Sequence, residues 1–166
     1  EALPPVEAES TARLIGLGAV KYAELSQNRL TDYVFSWDKL LALDGNTAPY
    51  LQNAYVRIRS IFRRAEEDAD ISAPILLDES AERILGLKLL HYAETVPVVL
   101  DDFRPNILAN YLYELANTYH SFYEACPVLK APTPAIRASR LLLSSLTART
   151  LSHGLSLLGI RCPEKM

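Results

Sequence analysis

The feature that most constrains this chain is an apolar period of three and four residues, broken at intervals by proline. Leu51, Tyr55, Ile58 and Phe62 recur at spacings of four, three and four, which lines one side of an α-helix and cannot line one face of a strand. The stretch ahead of them, Asp44-Gly-Asn-Thr-Ala-Pro, reads as a turn and a helix start. Gly45 and Asn46 tolerate positive φ, Thr47 can cap, and Pro49 suits the first helical turn. The same period returns in Leu108, Tyr111, Leu112, Leu115, Tyr119 and Phe122, which predicts a helix from Ile107 to Ala125 ending before Pro127. It returns again in Leu141, Ala148, Leu151, Leu155 and Leu158, which predicts a helix from Ala135 to Leu158 stopped by Gly159.

Shorter helices fill the rest. Glu7 to about Ser26 carries Leu14, Leu17, Val20, Tyr22 and Leu25, with Gly16 and Gly18 weakening it. Tyr33-Val-Phe35 favours extended backbone, and Asp38 is the predicted cap of a short helix through Leu43. Trp37, the lone tryptophan, is expected to anchor packing. Glu66 to Pro74 reads as a surface loop. Ser80 is the expected cap of a helix whose Ile84, Leu85, Leu87, Leu89 and Leu90 all look buried. A brief helix is expected from Thr95 to Asp102, and Arg104-Pro105 opens the next. The proline-rich segment from Pro127 to Pro134 is expected to be the most mobile. The sum is an all-α bundle of about five to seven helices with no convincing sheet.

Composition then narrows the function. At 166 residues and 49% hydrophobic the chain is long enough to bury a core. No apolar run approaches the roughly 20 residues that cross a bilayer, so no membrane role is expected. The start, Glu-Ala-Leu-Pro-Pro-Val-Glu, lacks a basic segment followed by an apolar one, so no secretory signal is read there. Two cysteines, Cys126 and Cys162, fit reduced thiols in a cytoplasmic setting. A net charge of −3 is unlike a dedicated nucleic-acid binder. Binding follows the local field, however, and arginine collects at 57–64 and again at Arg137, Arg140 and Arg149. A basic face on an acidic body is therefore a candidate.

Catalytic patterns are missing. Gly16-Leu-Gly18 lacks a third glycine and a preceding strand, and no Gly-x-Ser-x-Gly elbow is present. His91, His120 and His153 fall on three separate helices, and His120 with Glu124 supplies two ligands at most. Asp101-Asp102 reads as a helix terminus and not as a pair of catalytic acids.

A second period on the 48–65 helix brings Tyr50, Asn53, Arg57 and Arg64 onto one side, with Arg59 and Arg63 flanking. On the residues alone the arginines make a solvated helix face, and Tyr50 and Tyr123 make ordinary rings at a core edge. The same set also supplies stacking surfaces and phosphate neutralisation together, which single-stranded RNA requires.

Several separated blocks resemble the C-terminal region of arginyl-tRNA synthetases: Lys21-Tyr-Ala-Glu-Leu-Ser-Gln-Asn-Arg29, Asp32-Tyr-Val-Phe-Ser-Trp-Asp38 and Gly45-Asn-Thr-Ala-Pro-Tyr-Leu-Gln52, then Ala109-Asn-Tyr-Leu-Tyr-Glu-Leu-Ala116, Phe122-Tyr123 and Leu158-Gly-Ile-Arg-Cys-Pro-Glu-Lys-Met166. They keep their order and cover nearly the whole chain. The resemblance implies a DALR-type α-helical anticodon-binding domain at 31–166, preceded at 1–30 by a linker helix from a catalytic core. It implies further that the parent is an ATP-dependent class I arginine–tRNA ligase, that ATP and arginine bind the absent core, and that this fragment holds no cofactor and is inactive alone. The family's His-x-Gly-His and Lys-Met-Ser-Lys patterns do not occur here. The implied partners are the anticodon stem-loop of an arginine tRNA, whose middle cytosine the family reads, and the chain's own catalytic core, with no role for DNA. Carried over residue by residue, the resemblance makes Tyr50, Arg57, Tyr123 and Met166 anticodon contacts, with Asn53 and Arg64 on the same surface. Asn53 stands where several relatives carry a second tyrosine, and Pro127 lies where some carry an aromatic. A helical protein–protein scaffold is the alternative, and lack of salt-sensitive tRNA binding would mark it.

Overall fold

A computed structural model describes residues 4–166; residues 1–3, part of the expected linker, lie outside the described residues. Seven helices follow in order: α1 Pro5–Leu25, α2 Trp37–Leu40, α3 Ala48–Ala65, α4 Ser80–Leu90, α5 Tyr92–Asp102, α6 Pro105–Ala125 and α7 Pro134–Leu157. No strand occurs among the described residues. The all-α expectation holds.

The bundle is built around α6, which packs against α1, α3, α4, α5 and α7. Its sequence explains why. Leu108, Ala109, Tyr111, Leu112, Leu115, Ala116, Tyr119 and Phe122 are all buried, a stripe wide enough to meet several neighbours. Each buried Leu or Phe contributes about 1.5–3 kcal/mol by leaving water. Gly154 on α7 lets that helix come close, since a Cβ there would lie 2.5 Å from Leu112 Cδ2.

The turn into α3 is set by side chains. Thr47 Oγ1 accepts from the Tyr50 N–H at 3.2 Å and donates to the Ala42 carbonyl at 2.7 Å. Gly45 supplies the positive φ of +68°. Asn46 does not use that freedom. It works as a clamp instead, accepting from the Tyr22 hydroxyl at 2.6 Å and donating to Asn110 Oδ1 at 3.2 Å, which ties α1 and α6 to the turn. The C-terminal half of α1 docks through Gly18, Ala19 and Tyr22. The end of α7 is a Schellman cap: the Ile160 N–H reaches the Leu155 carbonyl, the Gly159 N–H reaches Ser156, and Gly159 has φ +69°.

Several local expectations fail. Trp37 is 61% exposed and stacks edge-on with Phe35, so it anchors nothing in the core. The helix it opens is capped by Ser36, not Asp38, and stops at Leu40 instead of reaching Leu43. On α1, Leu17 and Val20 are exposed. The cap of α4 is Glu79, in a capping box with Glu82, and Ser80 is already helical. Of the five apolar residues on α4 expected inside, Leu85 is buried and Leu89 half-buried, while Ile84, Leu87 and Leu90 are exposed. Helix α5 starts at Tyr92, three residues earlier than expected, and carries Pro97 in its interior. Within the 127–134 segment, Val128 is buried and the Pro127 carbonyl accepts from Arg140 Nη1 at 3.1 Å, while Pro132, Thr133 and Pro134 are exposed.

Candidate nucleic-acid interface

Helices α3 and α6 lie side by side, and a groove of about 260 Å³ opens between them. From α3 come Tyr50, Asn53, Arg57 and Arg64; from α6 come Tyr119, His120 and Tyr123. The second period on α3 therefore faces a space and not the core, whereas Leu51, Ile58 and Phe62 of the first period are buried. Tyr55 departs from that first stripe. It is half-buried and turns toward α7.

The aromatic walls are held in place. Tyr50 donates its hydroxyl to Asn117 Oδ1 at 2.6 Å, and its ring meets Tyr113 edge-on at 5.7 Å. Partial burial raises the Tyr50 pKa, with the Tyr113 charge adding and the Arg57 charge opposing. Tyr119 is buried, bonded to Ser144 Oγ at 3.1 Å, and stacks on Tyr123 with centroids 6.3 Å apart. Tyr123, 38% exposed, thus presents a supported ring to solvent. His120 lies 3.3 Å from Glu124 at its Nε2.

The densest run of cations lies on α3, with four arginines in eight residues. Lys88, Arg104, Arg137 and Arg140 each pair with a carboxylate. No ion pair among the described residues involves Arg57, Arg59, Arg63 or Arg64, and all but Arg59, which is half-buried, are exposed. The expected second arginine cluster is not a basic face: Arg137 is neutralised by Glu67, and Arg140 is buried against Glu82 at 2.7 Å. Helix α3 contains no acid of its own, so Arg57, Arg59, Arg63 and Arg64 have no partner at helical spacing.

Five of the six predicted residues, Tyr50, Asn53, Arg57, Arg64 and Tyr123, line this one groove. Met166 does not line it. The tail is bonded to α3 at Gln52, whose Nε2 donates to the Arg161 carbonyl at 2.8 Å, and at Arg63, whose Nη1 donates to the Glu164 carbonyl at 3.3 Å. Met166, two residues further, is 41% exposed. Sequence reasoning missed two ring-bearing residues of the groove. Tyr119 was assigned to the core, which it also serves. His120 was weighed as a metal ligand, although its position one helical turn before Glu124 and three residues before Tyr123 already placed it beside the site.

Chemically the groove can stack flat rings, hydrogen-bond base edges through the Asn53 amide, and attract phosphate through two guanidiniums. It contains no nucleophile paired with a base. No group of three or more metal-ligating side chains occurs among the described residues. No helix there is long and apolar enough to cross a membrane.

An aromatic, cationic groove on an all-α bundle has the chemistry of a helical nucleic-acid-binding module. The comparisons are more specific. The DALR anticodon binding domain pattern matches residues 51–166, so the chain belongs to that family. Residues 2–37 match the pattern of the class I (R) tRNA synthetase catalytic domain. The arginine–tRNA ligase of Shewanella denitrificans is 54% identical over 155 residues, covering 93% of this chain and 27% of that protein. That of Haemophilus ducreyi is 53% identical, covering 99% of this chain and 29% of its own length. The chain thus spans under a third of these curated relatives. Among solved structures, the Thermus thermophilus arginyl-tRNA synthetase superposes with TM-score 0.88 at 36% identity, over 95% of this chain and 28% of that one. The Plasmodium falciparum arginyl-tRNA synthetase gives TM-score 0.85 at 35% identity, with the same coverages.

Proposed function

We propose that the α3–α6 groove receives the unpaired anticodon loop of an arginine tRNA, and that the chain is the anticodon-recognition part of an arginine–tRNA ligase. The observation that carries this reading is the convergence of Tyr50, Asn53, Arg57, Arg64 and Tyr123 on one groove. Bases that leave their stack lie on Tyr50 and Tyr123, each stack contributing about 1–3 kcal/mol. Asn53 replaces a ring with an amide, so its contact is a hydrogen bond to a base edge or phosphate. Arg57 and Arg64 supply salt-sensitive attraction. Met166 stays part of the proposal as a contact that the tail brings up when RNA is bound.

The remaining assignments rest on the family. Activation of arginine with ATP belongs to a catalytic core outside this chain, in a cytoplasmic translation enzyme. The segment 1–30 is the helix leading from that core. Two features support contact with it: the match of residues 2–37 to the catalytic pattern, and the exposed Leu17, Val20, Phe35 and Trp37 within that span.

The test is a titration of this chain with arginine tRNA at two salt concentrations. The expected result is saturable binding whose affinity falls steeply with salt. A helical scaffold for proteins would show no such binding, and that outcome would remove the reading.

A further inference from the structure

A second groove opens on the other flank of α3, against α7, with a volume of about 330 Å³. Its polar lining consists of Tyr55 and Arg59 from α3 and Ser145, Arg149, Ser152, His153 and Ser156 from α7. No Asp or Glu lines it. Residues 145, 149, 152, 153 and 156 fall at helical spacing, so α7 presents them together.

Two observations favour an oxyanion as the ligand of this groove. Arg59 Nε is buried and has no hydrogen-bond partner, while its guanidinium sits 5.9 Å from the centroid of the Phe62 ring. A buried cationic donor without an acceptor costs free energy unless something occupies it. Arg149 is exposed and pairs with no carboxylate among the described residues. His153 is held from behind by the Tyr92 hydroxyl, 2.7 Å from Nδ1. The Glu164 carboxylate, whose charge reaches Tyr55, is the nearby acid, and it is not among the lining residues. Guanidiniums and hydroxyls with no carboxylate make a donor-rich pocket suited to an oxyanion, phosphate foremost.

We propose that the α3–α7 groove binds a backbone phosphate of the same RNA whose unpaired bases enter the α3–α6 groove. This inference rests on the RNA-binding reading above. Proximity supports it: Arg57 and Arg59 are two residues apart, on opposite sides of one helix about 10–12 Å across, so the two grooves flank the same stretch of α3. A free phosphate is the other source of the same chemistry.

The experiment has two arms on this chain. In the first, a stem-loop RNA carrying an arginine anticodon is titrated across a salt series with wild type, Arg149→Gln and Arg149→Lys. Arg149→Gln is expected to weaken binding several-fold and to lower the magnitude of the slope of log affinity against log salt by about 0.7–1. The preference for that loop over a scrambled one should not change, and Arg149→Lys should keep the wild-type slope. Equal binding by Arg149→Gln, with the fold intact by circular dichroism, overturns the phosphate site. In the second arm, the arginine Nε–H resonances are followed while inorganic phosphate is added. If wild type binds no RNA yet the Arg59 and Arg149 signals shift, the RNA source is overturned and a free-phosphate groove takes its place. If neither arm responds, both this proposal and the RNA-binding reading fall.

Discussion

Cys162 sits in the tail that crosses α3, and both cysteines of the chain are free. Burial pushes the Cys162 thiol from 9.0 up to about 12, with the Ser152 hydroxyl opposing and the Glu164 charge adding. Above pH 9 the unfolded chain gives up a proton that the folded chain retains. The difference contributes stability that is fully present below the unfolded value and is lost as pH rises toward 12, at up to about 1.4 kcal/mol per pH unit. Cys162→Ser should therefore flatten the decline in urea stability between pH 9 and 10, and the wild-type thiol should react slowly at pH 8 until the chain unfolds. An identical decline in both proteins would show that the thiol is accessible. Tyr50, Asn53 and Arg57 were legible one by one in the sequence, because a helical period of three and four carries direction as well as type. The partner of each was not. Nothing near Tyr50 in the chain announces Asn117, and nothing near Arg140 announces Glu82, since both contacts join residues far apart in sequence.

Element by element, helices with one wide apolar stripe were readable and helices with apolar residues all round were not. The stripe of α6 leaves no choice of face. On α4, Ile84, Leu85, Leu87, Leu89 and Leu90 leave every choice open, and what decides burial is whether another helix lies opposite. Helices α6 and α7 cover the side of Leu85 and leave Ile84, Leu87 and Leu90 outside. What fastens α4 is polar. Glu82 accepts the Glu79 N–H at 2.9 Å and Arg140 Nε at 2.7 Å, with both side chains buried. Removing one partner of a buried pair leaves the other uncompensated, so Glu82→Ala should cost about 3–5 kcal/mol in urea unfolding. A loss under about 0.5 kcal/mol would mean that Arg140 finds another acceptor and that the pair does not fix α4 to α7.

For the whole molecule, an acidic total hides a basic helix. The chain carries a net charge of −3, yet four arginines within eight residues of α3 stand in no ion pair among the described residues. That arrangement lets an acidic bundle attract a polyanion along one ridge without a basic composition. It also makes the ridge separable from the fold. Tyr50 is half-buried at the groove edge, so its ring can be removed while Leu51, Ile58 and Phe62 still hold α3 in the core. The most direct measurement is the affinity of wild type and Tyr50→Ala for an arginine-tRNA anticodon stem-loop at one salt concentration, with thermal unfolding followed in parallel. The expected result is a loss of about 1–3 kcal/mol in binding with the helical fold retained. Equal affinity in a folded variant would contradict the account, because the ring at position 50 would then belong to the core edge and not to an RNA contact.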